Sequence, residues 1–237
     1  MKWKVRLTGR EIGLEDLCES FVDDPSVFSE EDKYFIWCSQ FDKLEDANQV
    51  RKLAKHIVQG ITNLGRRDSL HVRDLEVSHV HEIKEDGTER VNALAEGATI
   101  VVRSGPARVT TTHEDGTVET NSPADRTYER TKQLLNDEKV RRVVELLDRD
   151  DSWVNLYRIY EYIQDSTDGE NIVRREWWSG NQKNLFKQTA NSRGAIGDEA
   201  RHGSEQIPPP DEPMTHNEAT RLVNTLVDEW LQHRKEL

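Results

Sequence analysis

Residues 122–148, SPADRTYERTKQLLNDEKVRRVVELLD, decide how this chain is organised. Ser122-Pro123 is a helix entry, since a proline in the first turn gives up an N–H that no helix uses there. Beyond it Tyr128, Leu134, Leu135, Val140, Val143, Val144 and Leu147 recur at helical spacing, which predicts one long or broken helix ending near Asp148. The same period continues to the end of the sequence. Ser152 is placed to cap a helix carrying Trp153, Leu156, Tyr157, Ile159, Tyr160 and Ile163, and Asp168-Gly169 closes the connection after it. Ser179 opens a third helix through Leu185 and Phe186. Pro208-Pro209-Pro210 forms a stiff extended spacer. Thr215 with Glu218 then makes a capping box for a last helix, whose apolar face holds Leu222, Val223, Leu226, Val227, Trp230 and Leu231. Four helices with short connections predict a four-helix bundle-like domain over residues 122–237.

Residues 1–121 carry a different pattern. Trp3, Val5 and Leu7 alternate with Lys4 and Arg6, as in a half-buried strand. Leu14, Leu17, Cys18 and Phe21 make one helical stripe, and Tyr34–Cys38 suits a buried strand. From Asp46 to Leu64 the apolar residues Val50, Leu53, Ala54, Ile57, Val58, Ile61 and Leu64 follow helical spacing, with Gly65 as the expected stop. Leu70 to Ile83 reads as one long strand with a phase break, turned by Glu85-Asp86-Gly87-Thr88. Thr99–Arg103 and Ala107–Thr112 read as a further pair, and Glu114–Thr117 repeats the same turn tetrapeptide. The fold class that follows is α+β: an N-terminal antiparallel sheet with covering helices over 1–121, then the helical bundle.

Composition narrows the function. The 237 residues hold enough apolar and aromatic side chains for a real core, and no apolar run is long enough to span a membrane. The net charge of −12 disfavours broad nucleic-acid binding, which needs clustered Lys and Arg. Cys18 and Cys38 belong to no metal or redox spacing, and Glu19 beside Cys18 argues against a reactive thiolate. The expectation is a soluble cytoplasmic protein without a cofactor.

Three clusters could carry function. The densest is Thr189–Gly203, where Arg193 and Arg201 offer forked donors for carboxylate or phosphate and His202 can move protons near neutral pH. Asp198 or Glu199 could orient His202, and Asn191 adds an amide. Its structural reading is a polar network in which Arg193, Asp198 and Arg201 tie helices together. The second is His79 and His81, two apart and so on one face of a strand, with His71 and His113 as candidate neighbours. No Cys or carboxylate stands at a diagnostic spacing, so a solvated strand face is expected and no metal. The third is Arg174-Arg175-Glu176-Trp177-Trp178, in which Trp177 could stack a base while Arg175 holds phosphate.

With Arg193, Arg201 and His202 near one helix junction, the C-terminal half resembles the HEPN-like helical modules of prokaryotic defence and RNA-processing proteins. Active members use an Arg and a His as a metal-independent ribonuclease centre, usually across a dimer. Arg193 and His202 are separated by eight residues, more than that motif has. The family spacing does occur at Arg51–His56, on the helix of the other domain. The resemblance also fits inert bundles used for binding. The expected function is therefore an interaction or regulatory module with a protein partner or a second copy of itself, such as an accessory subunit of a defence-type system. The alternative is a ribonuclease effector with His202 as acid/base and Arg193 and Arg201 stabilising phosphorane charge, which would make RNA a partner.

Overall fold

The computed structural model describes residues 1–84, 86–92, 110–112, 118–120, 122–167, 171–201 and 207–236, with 110–112 and 118–120 described by backbone alone. The chain is α+β and divides into two compact units, Met1–Asn136 and Asp137–Leu237.

In the first unit, β1 (Trp3–Thr8), β2 (Ser26–Glu30), β3 (Lys33–Trp37), β4 (Glu76–Ile83) and β5 (Glu89–Asn92) form an antiparallel sheet in the order β2-β3-β1-β4-β5. Val5 in the central strand pairs with Ile36 on one side and Val80 on the other. The β1–β4 register slips between Val5 and Leu7, so that Arg6 stands opposite both Ser78 and His79. Trp3, Val5, Leu7, Ile36 and Val80 project from one face into a core shared with α1 (Glu11–Ser20), α2 (Ala47–Arg67) and α3 (Pro123–Asn136). Asp46 caps α2 by accepting from the Asn48 and Gln49 amides. A separate two-stranded pair joins β6 (Thr110–Thr112) to β7 (Val118–Thr120).

Several sequence expectations shift here. Gly65 does not stop α2, which runs on to Arg67; it is buried, and a side chain there would meet Val72. The long strand over Leu70–Ile83 is only β4. Leu70, Val72 and Leu75 alternate because they plug the core from a loop, not because they lie in a strand. β2 was not anticipated: its hairpin with β3 turns through Glu31 and Asp32, both at positive φ, a two-residue turn without the usual Asn or Gly signal. The first Glu-Asp-Gly-Thr does turn β4 into β5, with Gly87 at φ 79° and Asp86 accepting from the Thr88 amide and hydroxyl. Thr99–Arg103 and the second tetrapeptide lie outside the described residues.

The change of period at residue 122 and the division between units do not coincide. The helix over 122–148 breaks at Asn136-Asp137, and α3 packs against α2 and α1 in the sheet unit. Asp137 instead caps α4 (Glu138–Leu147) in the second unit. That unit continues with α5 (Trp153–Ser166), α6 (Gly180–Asn191), the single turn α7 (Arg193–Ile196) and α8 (His216–Lys235). α5 packs against α4, α6 and α8, and the expected caps at Ser152, Ser179 and Thr215 are all present.

Two stability predictions follow from these details. Gly13 lies in α1 where a Cβ would collide with the backbone carbonyl of His71. Gly13→Ala should therefore lower the thermal midpoint, at a cost of about 2 kcal/mol, although alanine gains about 1 kcal/mol of helix propensity. Burial pushes the Asp137 carboxyl up, but Arg234 and the first amides of α4 outweigh it and hold it below the usual aspartate range. Its contribution is full above the unfolded aspartate value and is lost as pH falls through the lower folded value. Asp137→Asn should cost about 1 kcal/mol at neutral pH and nothing at the acid end, checked by urea midpoints across pH.

Candidate functional site

The dense polar loop grows out of the end of α6. Asn191 is the last residue of that helix, buried, and its amide nitrogen donates to the Lys187 carbonyl at 2.7 Å. Ser192 is fully buried and donates to the Ile207 carbonyl at 2.9 Å, while Gln188 donates to the Pro208 carbonyl. The Arg201 amide returns to the Ala190 carbonyl at 2.9 Å. The loop is thus pinned at both ends to α6.

Its two arginines are held by different carboxylates. Arg193 meets Asp198 at 3.0 Å across the 3-10 turn Gly197–Glu199, with Asp198 almost fully exposed. Arg201 donates one nitrogen to both oxygens of Glu161 on α5, at 3.0 and 3.2 Å, and its guanidinium lies 4.4 Å from the centre of the Tyr157 ring. Glu199 is exposed. His202 lies outside the described residues. Arg193, Gly194, Gly197, Asp198, Ile207, Pro208 and Pro209 line a shallow cleft of about 470 Å³. Gly197 turns the chain there at φ 64°, and a side chain on Gly194 would press on Pro209. Its lining is apolar at Ile207, Pro208 and Pro209 and carries the Arg193–Asp198 ion pair.

Beside the loop, Tyr157 stacks on Phe186 and Tyr160 on Trp178, with Trp178 edge-to-face on Phe186, and the Trp178 indole donates to the Leu222 carbonyl of α8. Of the two adjacent tryptophans, Trp178 is therefore a core residue. Trp177 is half-buried, 5.3 Å from the Arg175 guanidinium and 5.7 Å from the His233 ring near the end of α8. Arg175 also meets His233 Nδ1 at 3.3 Å. The pair reads as a packed corner of the helical unit.

In the sheet unit the two strand histidines do share a face, with ring centres 6.4 Å apart. That face is not simply solvated. His81 is 8% exposed, edge-on to the buried Phe35, and its Nδ1 lies 2.6 Å from a Glu89 oxygen. Lys4 is equally buried between Glu30 and Glu89. Burial pulls the Lys4 ammonium down, but the two carboxylates outweigh it and raise it above the ordinary lysine value. Burial pushes Glu89 up, yet His81 and Lys4 together leave it below the usual range. Lys4, Arg6 and Glu89 escaped the sequence reading because strand pairing across long separations joins them to the histidines. Among the described residues no three His, Cys, Asp or Glu side chains are grouped to hold a metal. His113 is outside them.

Neither cysteine is primed for attack. Burial, then Glu15, pushes the Cys18 thiol up to about 11, and burial dominates at Cys38, also about 11. Of the Arg51–His56 pair, Arg51 donates to the Asn92 carbonyl at 2.9 Å and His56 is exposed on α2. No described helix is long and apolar enough to cross a membrane.

No family model, curated protein or solved structure matches this chain.

The geometry of Arg201 sets a stability prediction. Both it and Glu161 are partly exposed, so a double-mutant cycle with Arg201→Ala and Glu161→Ala should give a coupling of about 0.5–1 kcal/mol. Arg201→Lys should recover little of it, because an ammonium neither forks nor stacks on Tyr157 as the guanidinium does.

Proposed function

We propose that the chain is a non-catalytic binding module, an accessory or scaffolding subunit whose Arg193 cleft engages a protein partner. What supports this reading is the disposition of the loop's cations. Arg201 is engaged by Glu161 and Tyr157, and Arg193 by Asp198, so neither is presented as an uncompensated charge for a phosphorane. The Arg193–Asp198 pair is exposed, and such pairs are worth about 0–1 kcal/mol. A partner carboxylate can replace Asp198 on Arg193 at little cost while an adjacent apolar side chain settles on Ile207, Pro208 and Pro209. On the HEPN-like resemblance this would be one of the inert bundles of that superfamily, serving a defence-type assembly.

Two experiments test the proposal. Peptides selected from a random display library against the folded protein should carry an acidic residue beside an apolar one. Their binding should fall at least tenfold in Arg193→Ala; sequence-indifferent peptides, or binding untouched by that change, would contradict the reading. A mixed RNA pool incubated with the protein in chelator should remain intact. Cleavage that is lost in a folded His202→Ala variant would overturn the proposal in favour of the ribonuclease effector.

A further inference from the structure

Among the described residues, Arg6 Nε and His81 Nε2, on the face of the sheet turned away from the helices, are buried polar atoms with no hydrogen-bond partner. Native structures leave few such groups, and each needs a reason. Arg6 makes no ion pair among the described residues, in a chain where acids outnumber bases by 45 to 33. The register slip sets Arg6 opposite Ser78 and His79, two residues along the strands from the Lys4–His81 pair and so diagonal to His81. Diagonal neighbours in an antiparallel sheet lie roughly 7–8 Å apart, within reach of one small bridging ligand.

The two orphan atoms have different chemical demands. Arg6 can only donate, and it brings a fixed positive charge. His81 directs Nδ1 at the Glu89 carboxylate, an acceptor only, so in the neutral form of the ring the proton sits on Nδ1 and Nε2 accepts. Lys4 meets the same Glu89 oxygen at 3.3 Å, which holds the carboxylate in place against the imidazole. A ligand that satisfies both atoms must carry an anionic oxygen and a hydroxyl on one centre. Monoprotonated phosphate and the monoanion of a phosphomonoester do so. A phosphodiester, a carboxylate or sulfate at neutral pH offers the anionic oxygen but no hydroxyl.

We propose that Arg6 and His81, with Glu89 and Lys4 orienting the imidazole and His79 beside them, form a binding site for inorganic phosphate or a phosphomonoester. Arg6 pairs with an unprotonated phosphate oxygen, and the phosphate hydroxyl donates to His81 Nε2. The site is separate from the Arg193 cleft and does not depend on the reading of that cleft.

Side-chain nitrogen NMR of the full chain tests this directly. Titration with inorganic phosphate at constant ionic strength and neutral pH should move the His81 Nε2 and Arg6 Nε signals along one saturating curve. Sulfate should bind at least tenfold more weakly, because a site built for a hydroxyl donor rejects the analogue that lacks it. Arg6→Gln, checked for an intact amide spectrum, should abolish saturation. Phenyl phosphate, compared with phosphate at equal concentrations of the monoanion, identifies the source: binding as tight as phosphate points to an ester, and binding of the free ion alone to inorganic phosphate. Equal response to sulfate and phosphate in the wild-type protein, no saturation by phosphate, or unchanged binding in a folded Arg6→Gln variant would overturn the proposal.

Discussion

One buried carboxylate holds the third helix of the N-terminal unit in place. Asp68 follows the last turn of α2, buried, and receives the Thr127 hydroxyl at 3.0 Å, Arg130 at 2.9 Å and Arg126 at 3.3 Å from successive turns of α3. Around this clamp the apolar side of α3 completes the sheet's core through Ala124, Tyr128 and Leu135. Gly60 leaves the space that Leu134 fills. Taking one member out of such a buried set leaves uncompensated charge, which is why it costs more than an exposed pair. A helix that by periodicity continues into α4 is thereby assigned to the sheet, and the division between units falls at Asn136-Asp137.

The same logic recurs wherever basic groups are buried. An excess of carboxylates means that a half-buried cation usually finds an acid at close range: Lys4 has Glu30 and Glu89, Arg234 has Asp137, Arg201 has Glu161. These pairs order helices and strands. They also sort the candidate sites, because a cation already balanced by its own unit is a poor stabiliser of developing charge. The exceptions carry the information. Arg193 shares its exposed partner with a cleft, and Arg6 has no ion pair among the described residues and lies on the same sheet face as His81.

Much of the architecture was legible because it rests on local signals. The caps at Ser152, Ser179 and Thr215 and the stripe of α2 are decided within a few residues of sequence. What could not be read depends on distant partners. The loop residues Leu70, Val72 and Leu75 alternate like a strand, and only the core they fill shows otherwise. The β2–β3 turn uses Glu31 and Asp32, residues that rarely announce positive φ. The loop after α6 stood out by composition, yet nothing local could say that Arg201 would reach Glu161 some forty positions away. The sheet-face cluster was half visible: the spacing of His79 and His81 placed them on one side, but their neighbours Arg6, Lys4 and Glu89 arrive from β1 and β5.

The clamp at Asp68 is tested most directly by amide hydrogen exchange in Asp68→Asn, which keeps the shape but removes the charge. If Asp68 holds α3, the amides of α3 beyond Pro123 should exchange roughly 30-fold faster, corresponding to about 2 kcal/mol of lost local stability. Unchanged protection along α3 would contradict the account, leaving the helix held by its apolar face alone.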